Sequence, residues 1–160
     1  MLTKLEKGMS TKKEAVDRTV EHIQKMRDFY GYTPIAVNQF NRALSNPAFL
    51  KIESVEPTLE DLKETGNTAE AADVVITLFE PLRHRTSDPK YKAEKFVSPI
   101  TGSNYFRSMK IVKNSYGEDS VRAGLAFMGS TGIFAELPKS TDMEGFEYDE
   151  LFNNNYFLKQ

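Results

Sequence analysis

The 160-residue chain has no cysteine and only two histidines. A disulfide framework and a thiolate metal site are therefore excluded, which fits a reducing cytoplasm. His22 and His84 stand too far apart for metal-ligand spacing. No run approaches the ~18 apolar residues of a membrane-spanning helix. The amino terminus, Met1-Leu2-Thr3-Lys4-Leu5-Glu6-Lys7, lacks the apolar centre of a signal peptide. Neither a Gly-x-Ser-x-Gly elbow nor a Gly-x-x-x-x-Gly-Lys-Ser/Thr phosphate cradle occurs anywhere. Net charge is only −2, from 21 basic and 23 acidic residues, so no global field points to a polyanionic partner. Internal repeats and low-complexity tracts are absent as well. What remains is one domain's length of chain, enough for a real core, of the soluble α/β class.

Thr11-Lys12-Lys13-Glu14 has the pattern of a capping box. Val16, Thr19, Val20, Ile23, Met26 and Tyr30 then recur at helical spacing, and Gly31 supplies a stop, so a helix is expected over 12–30, packed on a sheet. Pro34-Ile35-Ala36-Val37 is a short apolar run ending abruptly at Asn38-Gln39, and Ala71-Ala72-Asp73-Val74-Val75-Ile76-Thr77-Leu78-Phe79 is a second. Such runs suit parallel strands buried on both faces, here over 33–37 and 73–79, whose carboxyl ends are where α/β proteins bind ligands. Between them, Thr58-x-x-Asp61 opens a short helix that Gly66 ends, and Asn67-x-x-Glu70 caps a second short turn.

Periodicity vanishes over 82–104, which reads as a surface insertion. Arg83, Arg85, Lys90, Lys92, Lys95, Arg107, Lys110 and Lys113 face only Asp88 and Glu94 within 83–113. That stretch is either a solvated face or a phosphate-contacting one. Alternation over 105–113 and 121–128, flanking Asn114-Ser115-Tyr116-Gly117-Glu118-Asp119, predicts an antiparallel hairpin, and 132–134 a last strand. Residues 136–160 are acidic and aromatic. They suit either a partly ordered tail or a segment docked on a neighbour.

Read together, "PIAVNQFNR", "EPTLEDLKETGNTAEAADVVITLF" and "MKIVKNSYGEDSVRAGLAF" resemble, in that order, the later part of the RecA-like motor domain of DnaB-type replicative helicases, phage-type members among them. The resemblance runs from about residue 12 to 134. It implies a partial RecA-like P-loop NTPase core over 1–135, with parallel strands and a carboxyl-terminal antiparallel hairpin. It implies a cytoplasmic setting in a bacterium or phage-infected host. In that family a glutamine at the place of Gln39 senses the nucleotide's terminal phosphate, which a neutral amide can do by donating and accepting. Lys63, Glu64 and Gly66 match the segment that holds single-stranded DNA in the ring's channel. Lys63 stands where arginine is common and Thr65 where serine is usual; lysine lacks the bidentate fork.

Lys113 matches a cation that reaches the next subunit's nucleotide site, and Ser115 stands where the family places an arginine finger. A hydroxyl cannot replace a guanidinium there, and Arg107 or Arg122 would have to substitute. ATP and Mg²⁺ belong to the complete motor, whose phosphate cradle this chain lacks, so the chain alone should not hydrolyse ATP. Partners implied are single-stranded DNA and a homo-oligomeric ring or a segment bearing the P-loop, with no membrane. Two rivals stand beside this: a fragment of a recombination ATPase of the same superfamily, and a non-catalytic DNA-binding or regulatory module on a retired motor fold. The motor interpretation requires the segment before Asn38 to share a sheet with residues 74–79.

Overall fold

The computed structural model describes residues 11–40, 56–65, 68–84, 86–98, 101–146 and 148, with side chains other than those of Lys12, Lys63, Glu64 and Thr65. Helix α1 spans Lys12–Tyr30. Thr11 Oγ1 accepts from the Glu14 amide at 3.2 Å, satisfying one orphan donor of the first turn. Gly31 closes the helix at φ 67°, a left-handed conformation that favours glycine, and its amide donates to the Arg27 carbonyl at 2.7 Å. Ala15 and Val20 are its buried residues. Its main partners are the short helix α2, Thr68–Ala71, and a 3-10 helix over Leu59–Thr65. The expected docking of α1 on a sheet is therefore replaced by packing on these two short elements.

The four strands are β1 (Val74–Phe79), β2 (Phe106–Asn114), β3 (Arg122–Met128) and β4 (Ile133–Glu136), joined in that order into one antiparallel sheet. The expected parallel strand over 33–37 does not form: residues 31–40 carry no strand, and Ile35 and Val37 are 89% and 77% exposed. The physical reason is that a strand buried on both faces needs a neighbouring ladder and covering layers that an apolar run cannot supply alone. Among the described residues no strand pairs with this segment.

The segment nonetheless comes near β1. Arg27 pairs with Asp73 at 3.6 Å just before that strand, and the Phe40 ring stands 6.3 Å from Phe79 at its far end. The chain thus meets β1 at Arg27, by its start, and at Phe40, by its far end, and residues 31–40 do not join its ladder. The single-sheet requirement is not met as a strand-to-strand arrangement.

The sheet has two unlike faces, because directly paired residues point the same way. One face carries Phe79, Phe106, Gly124, Ala126 and Ala135. It is covered by Tyr91, Ala93, Phe96, Leu137, Met143 and Tyr148, which form the core with Phe106 and Ala126. Rings of Tyr91 and Phe96 lie 5.5 and 5.4 Å from Phe106, and Tyr148 lies 5.6 Å from Phe96. Residues 82–104, which read as a surface insertion, therefore supply core. Their apolar residues are spaced irregularly because they cap a sheet as loops and a 3-10 turn over Ala93–Phe96, where no period is required. The start of the acidic segment does the same through Leu137, Met143 and Tyr148; residues 149–160 lie outside the described residues.

The opposite face presents Ile76, Leu78, Met109, Ile111, Leu125 and Phe134. Ile76 is 57% exposed and Leu78 46%. Strand β1, expected to be buried on both sides, is covered on one side only.

Gly124 sits directly under the Tyr91 ring. A Cβ there would lie 2.7 Å from Tyr91 Cζ, and the ring is held from above, its hydroxyl donating to the Pro138 carbonyl at 2.9 Å. Gly124→Ala should cost about 1–3 kcal/mol by overpacking. At this length that is roughly 2–4 °C of Tm per kcal/mol, readable by calorimetry.

Candidate functional site

Residues 56–65 and 68–71 meet the β2–β3 hairpin through a set of charged contacts. The segment begins with a local lock: Asp61 Oδ2 accepts from the Thr58 amide at 2.7 Å and from Thr58 Oγ1 at 3.0 Å. This favours the tight turn over Leu59–Thr65, and α2 follows.

The pairing of β1 with β2 shifts between Val75 and Ile76: Ile76 pairs with Ile111, but Val75 pairs with Lys113, leaving Val112 as an extra residue. Such a β-bulge reverses the alternation of side chains beyond it. Lys110, opposite Thr77, and Lys113, opposite Val75, therefore share one face; regular alternation would set them on opposite faces. Lys113 Nζ donates to the carbonyls of Ala69 at 3.3 Å and Glu70 at 2.8 Å, the usual place for a cation at a helix carboxyl end. Lys110 Nζ donates to Glu56 Oε2 at 2.9 Å.

Glu56 also pairs with Arg122, whose other nitrogen donates to Asp88 Oδ2 at 2.9 Å. The Arg122 and Asp88 side chains are 6% and 1% exposed. Asp88 Oδ1 further accepts from the amides of Lys90 and Tyr91, both at 2.9 Å. Burial by itself would push the Glu56 carboxyl up, but the Lys110 hydrogen bond and the charges of Arg122 and Lys110 outweigh it and hold the group below its ordinary value. Arg107 is similarly engaged. It pairs with Glu80 at 3.1 Å, donates to the carbonyls of Asn104 and Phe106, and lies 5.0 Å over the Phe127 ring. Burial draws its guanidinium pKa down, opposed by Glu80.

The residues singled out in the sequence are placed unevenly. Gln39 is exposed in the coil beside β1, one residue before Phe40, and not at the end of a buried strand. Lys63 and Glu64 lie on the 3-10 helix by their backbone, with side chains outside the described atoms, and Gly66 lies outside the described residues. Lys113 is turned inward onto its own chain. Ser115 is exposed in the hairpin turn, its amide donating to the Asp73 carbonyl at 2.9 Å. Neither Arg107 nor Arg122 is available as a substitute finger, because both are committed to carboxylates of their own chain. Partners for the basic stretch come from beyond it: Glu56 and Glu80 take up Lys110, Arg122 and Arg107. No sequence window shows that.

A cavity of about 480 Å³ opens beyond the end of β1, lined by Glu80, Arg83, Val97, Gly102, Ser103 and Asn104 among others. The Asn104 Nδ2 is buried with no hydrogen-bond partner among the described residues. Sequence reasoning missed this hollow because its walls are brought together by tertiary contacts such as the Val97–Asn104 bridge and the Ser98–Ser103 hydrogen bond. The phosphate cradle is missing from the sequence, and among the described residues no group of three or more His, Cys, Asp or Glu is placed to hold a metal ion. Among those residues, too, no helix is long and apolar enough to cross a membrane.

Neither a family model nor a curated protein matches the chain. Among solved structures, its fold is similar to that of the ATPase domain of a phage DnaB-like helicase, at a TM-score of 0.58 and 20% identity. That likeness covers 82% of this chain and 40% of the other. The chain thus shares a fold with part of that domain and spans 40% of its length.

Glu56 ties the junction's stability to pH. Its folded-state pKa is depressed. The stabilisation is therefore fully present above its unfolded value of about 4.3 and is lost as pH falls through the lower folded value. Urea midpoints measured from pH 7 downward should drop in that acid range, and Glu56→Gln should lower the neutral midpoint and flatten the acid limb. Asp88→Ala, which strips the buried Arg122 of one partner, should cost about 3 kcal/mol.

Proposed function

We propose that this chain supplies the distal part of a DnaB-type replicative helicase motor, working in ATP-dependent unwinding of duplex DNA once a P-loop-bearing segment completes it. The observation that carries the reading is the fold likeness to a helicase ATPase domain over most of this chain but under half of that one, and it stands although residues 31–40 do not join the sheet of β1 as the sequence reading required. One feature of the molecule supports it: among the described residues, Ile76, Leu78 and Phe134 on one face of the sheet are exposed, and exposed apolar side chains grouped on a face suit a contact with another surface.

In this reading, Gln39 responds to the terminal phosphate of a nucleotide held by the complement, to which ATP and Mg²⁺ also belong. Lys63, Glu64 and Gly66 hold single-stranded DNA by its backbone, a grip without base readout. No trans-acting guanidinium comes from the hairpin, since Ser115 occupies the finger position. The second reading, a non-catalytic DNA-binding module on a retired motor fold, draws on that same point: the two candidate arginines are locked into structural ion pairs.

A salt titration of single-stranded DNA binding tests the DNA-gripping segment, which both readings use. The log–log slope should be about −0.7 per phosphate neutralised, and Lys63→Ala should remove about one contact from it. Binding that is undetectable at low salt, or a slope indifferent to Lys63, would refute the assignment. Supplying a polypeptide that carries the P-loop then separates the two readings: ATP turnover on mixing supports the motor, and its absence supports the module.

A further inference from the structure

The hairpin cations hold the 56–71 segment at both of its ends. At its start, Glu56 is gripped by Lys110 and Arg122; at its finish, the carbonyls of Ala69 and Glu70 are gripped by Lys113. Lys110 and Lys113 are three residues apart on one strand, so their anchor points lie within about 10 Å of each other along it. Two anchor points so close together hold residues 56–65 and 68–71 against one stretch of β2. The geometry points to a two-point clamp. We propose that Lys113 and Glu56 are positioning residues that set the conformation of residues 56–65 and 68–71 from within the same chain. The β-bulge at Val112 is the device that brings the second cation to the loop.

This inference rests on the DNA-binding role proposed for the loop, and it assigns Lys113 a different task from Lys63. Lys63 is expected to neutralise a phosphate. Lys113 has committed two of its three donors to carbonyls of its own chain, and it acts on DNA only by fixing the loop. The physical argument is entropic. A free loop of this length samples many conformations, and ordering it on binding opposes affinity; two charged anchors supply part of that ordering in advance.

The test compares Lys113→Met, Lys113→Arg and Lys63→Ala in the full chain by two measurements. Amide hydrogen exchange over 59–71 reads the clamp directly. Lys113→Met should accelerate it by about tenfold, the loss expected for a charged hydrogen bond, while Lys113→Arg, which can still donate to both carbonyls, should restore protection. Single-stranded DNA affinity across a salt series reads the consequence. Lys113→Met should weaken binding by a similar factor with the salt slope unchanged, whereas Lys63→Ala lowers the slope.

Unchanged exchange in Lys113→Met overturns the clamp. A slope reduced by about 0.7 in Lys113→Met also overturns it, because the lysine would then touch phosphate itself. If the unaltered chain binds no DNA, the function proposed above fails along with the DNA half of this inference, and the exchange comparison still decides whether the clamp exists.

Discussion

The guanidinium of Arg122 is the fixed point of this molecule. It is almost wholly withdrawn from water between Asp88 and Glu56, and a guanidinium so placed costs several kcal/mol unless its charge is met. Its two partners come from parts of the chain far from it in sequence: Glu56 precedes the short helices and Asp88 stands in a turn in the middle, while Arg122 itself is on β3. None of these can be displaced alone without stranding a buried charge. A pair of this kind is weak support for net stability, since an apolar cluster of the same volume can do as well. What it gives here is connectivity. It ties the loop that precedes Leu59–Thr65 to the same strand that carries the sheet.

Around that point the sheet is asymmetric. One face is sealed by tilted and edge-on aromatic rings running from Phe106 to Tyr148, and Tyr91 is pressed so closely on β3 that only glycine fits beneath it. The other face is apolar and open, with Val74, Ile76, Leu78 and Phe134 all exposed. Residues 31–40 belong to the same pattern. Ile35 and Val37 are shaped for burial and stay largely exposed for want of covering layers.

Lys113 shows how one extra residue changes a role. Counted along the sequence, it is the strand-end lysine that a resemblance would send to a neighbouring subunit. With Val112 bulged, it turns onto the face it shares with Lys110 and meets the carbonyls of α2. The same logic removes Arg107 and Arg122 from consideration as substitutes for Ser115. Each is drawn to a carboxylate that lies outside its own stretch of sequence.

Much of the local order was legible beforehand. The α1 helix, its Thr11 cap and Gly31 stop, the Asp61 lock on Thr58, strand β1 and the β2–β3 hairpin all follow from side-chain period, capping and turn chemistry, which act over a few residues. What tertiary structure alone decided was every property that depends on a distant partner. That residues 82–104 would be core, that 33–37 would not pair, and that Gln39 would sit in coil rather than at a strand's end are matters of what lies alongside. So are the cavity at Asn104 and the engagement of Lys113. A sequence states which surfaces a segment can bury and which hydrogen bonds it can offer; only the folded neighbours determine whether each is taken up, because burial and pairing are properties of two surfaces and not of one.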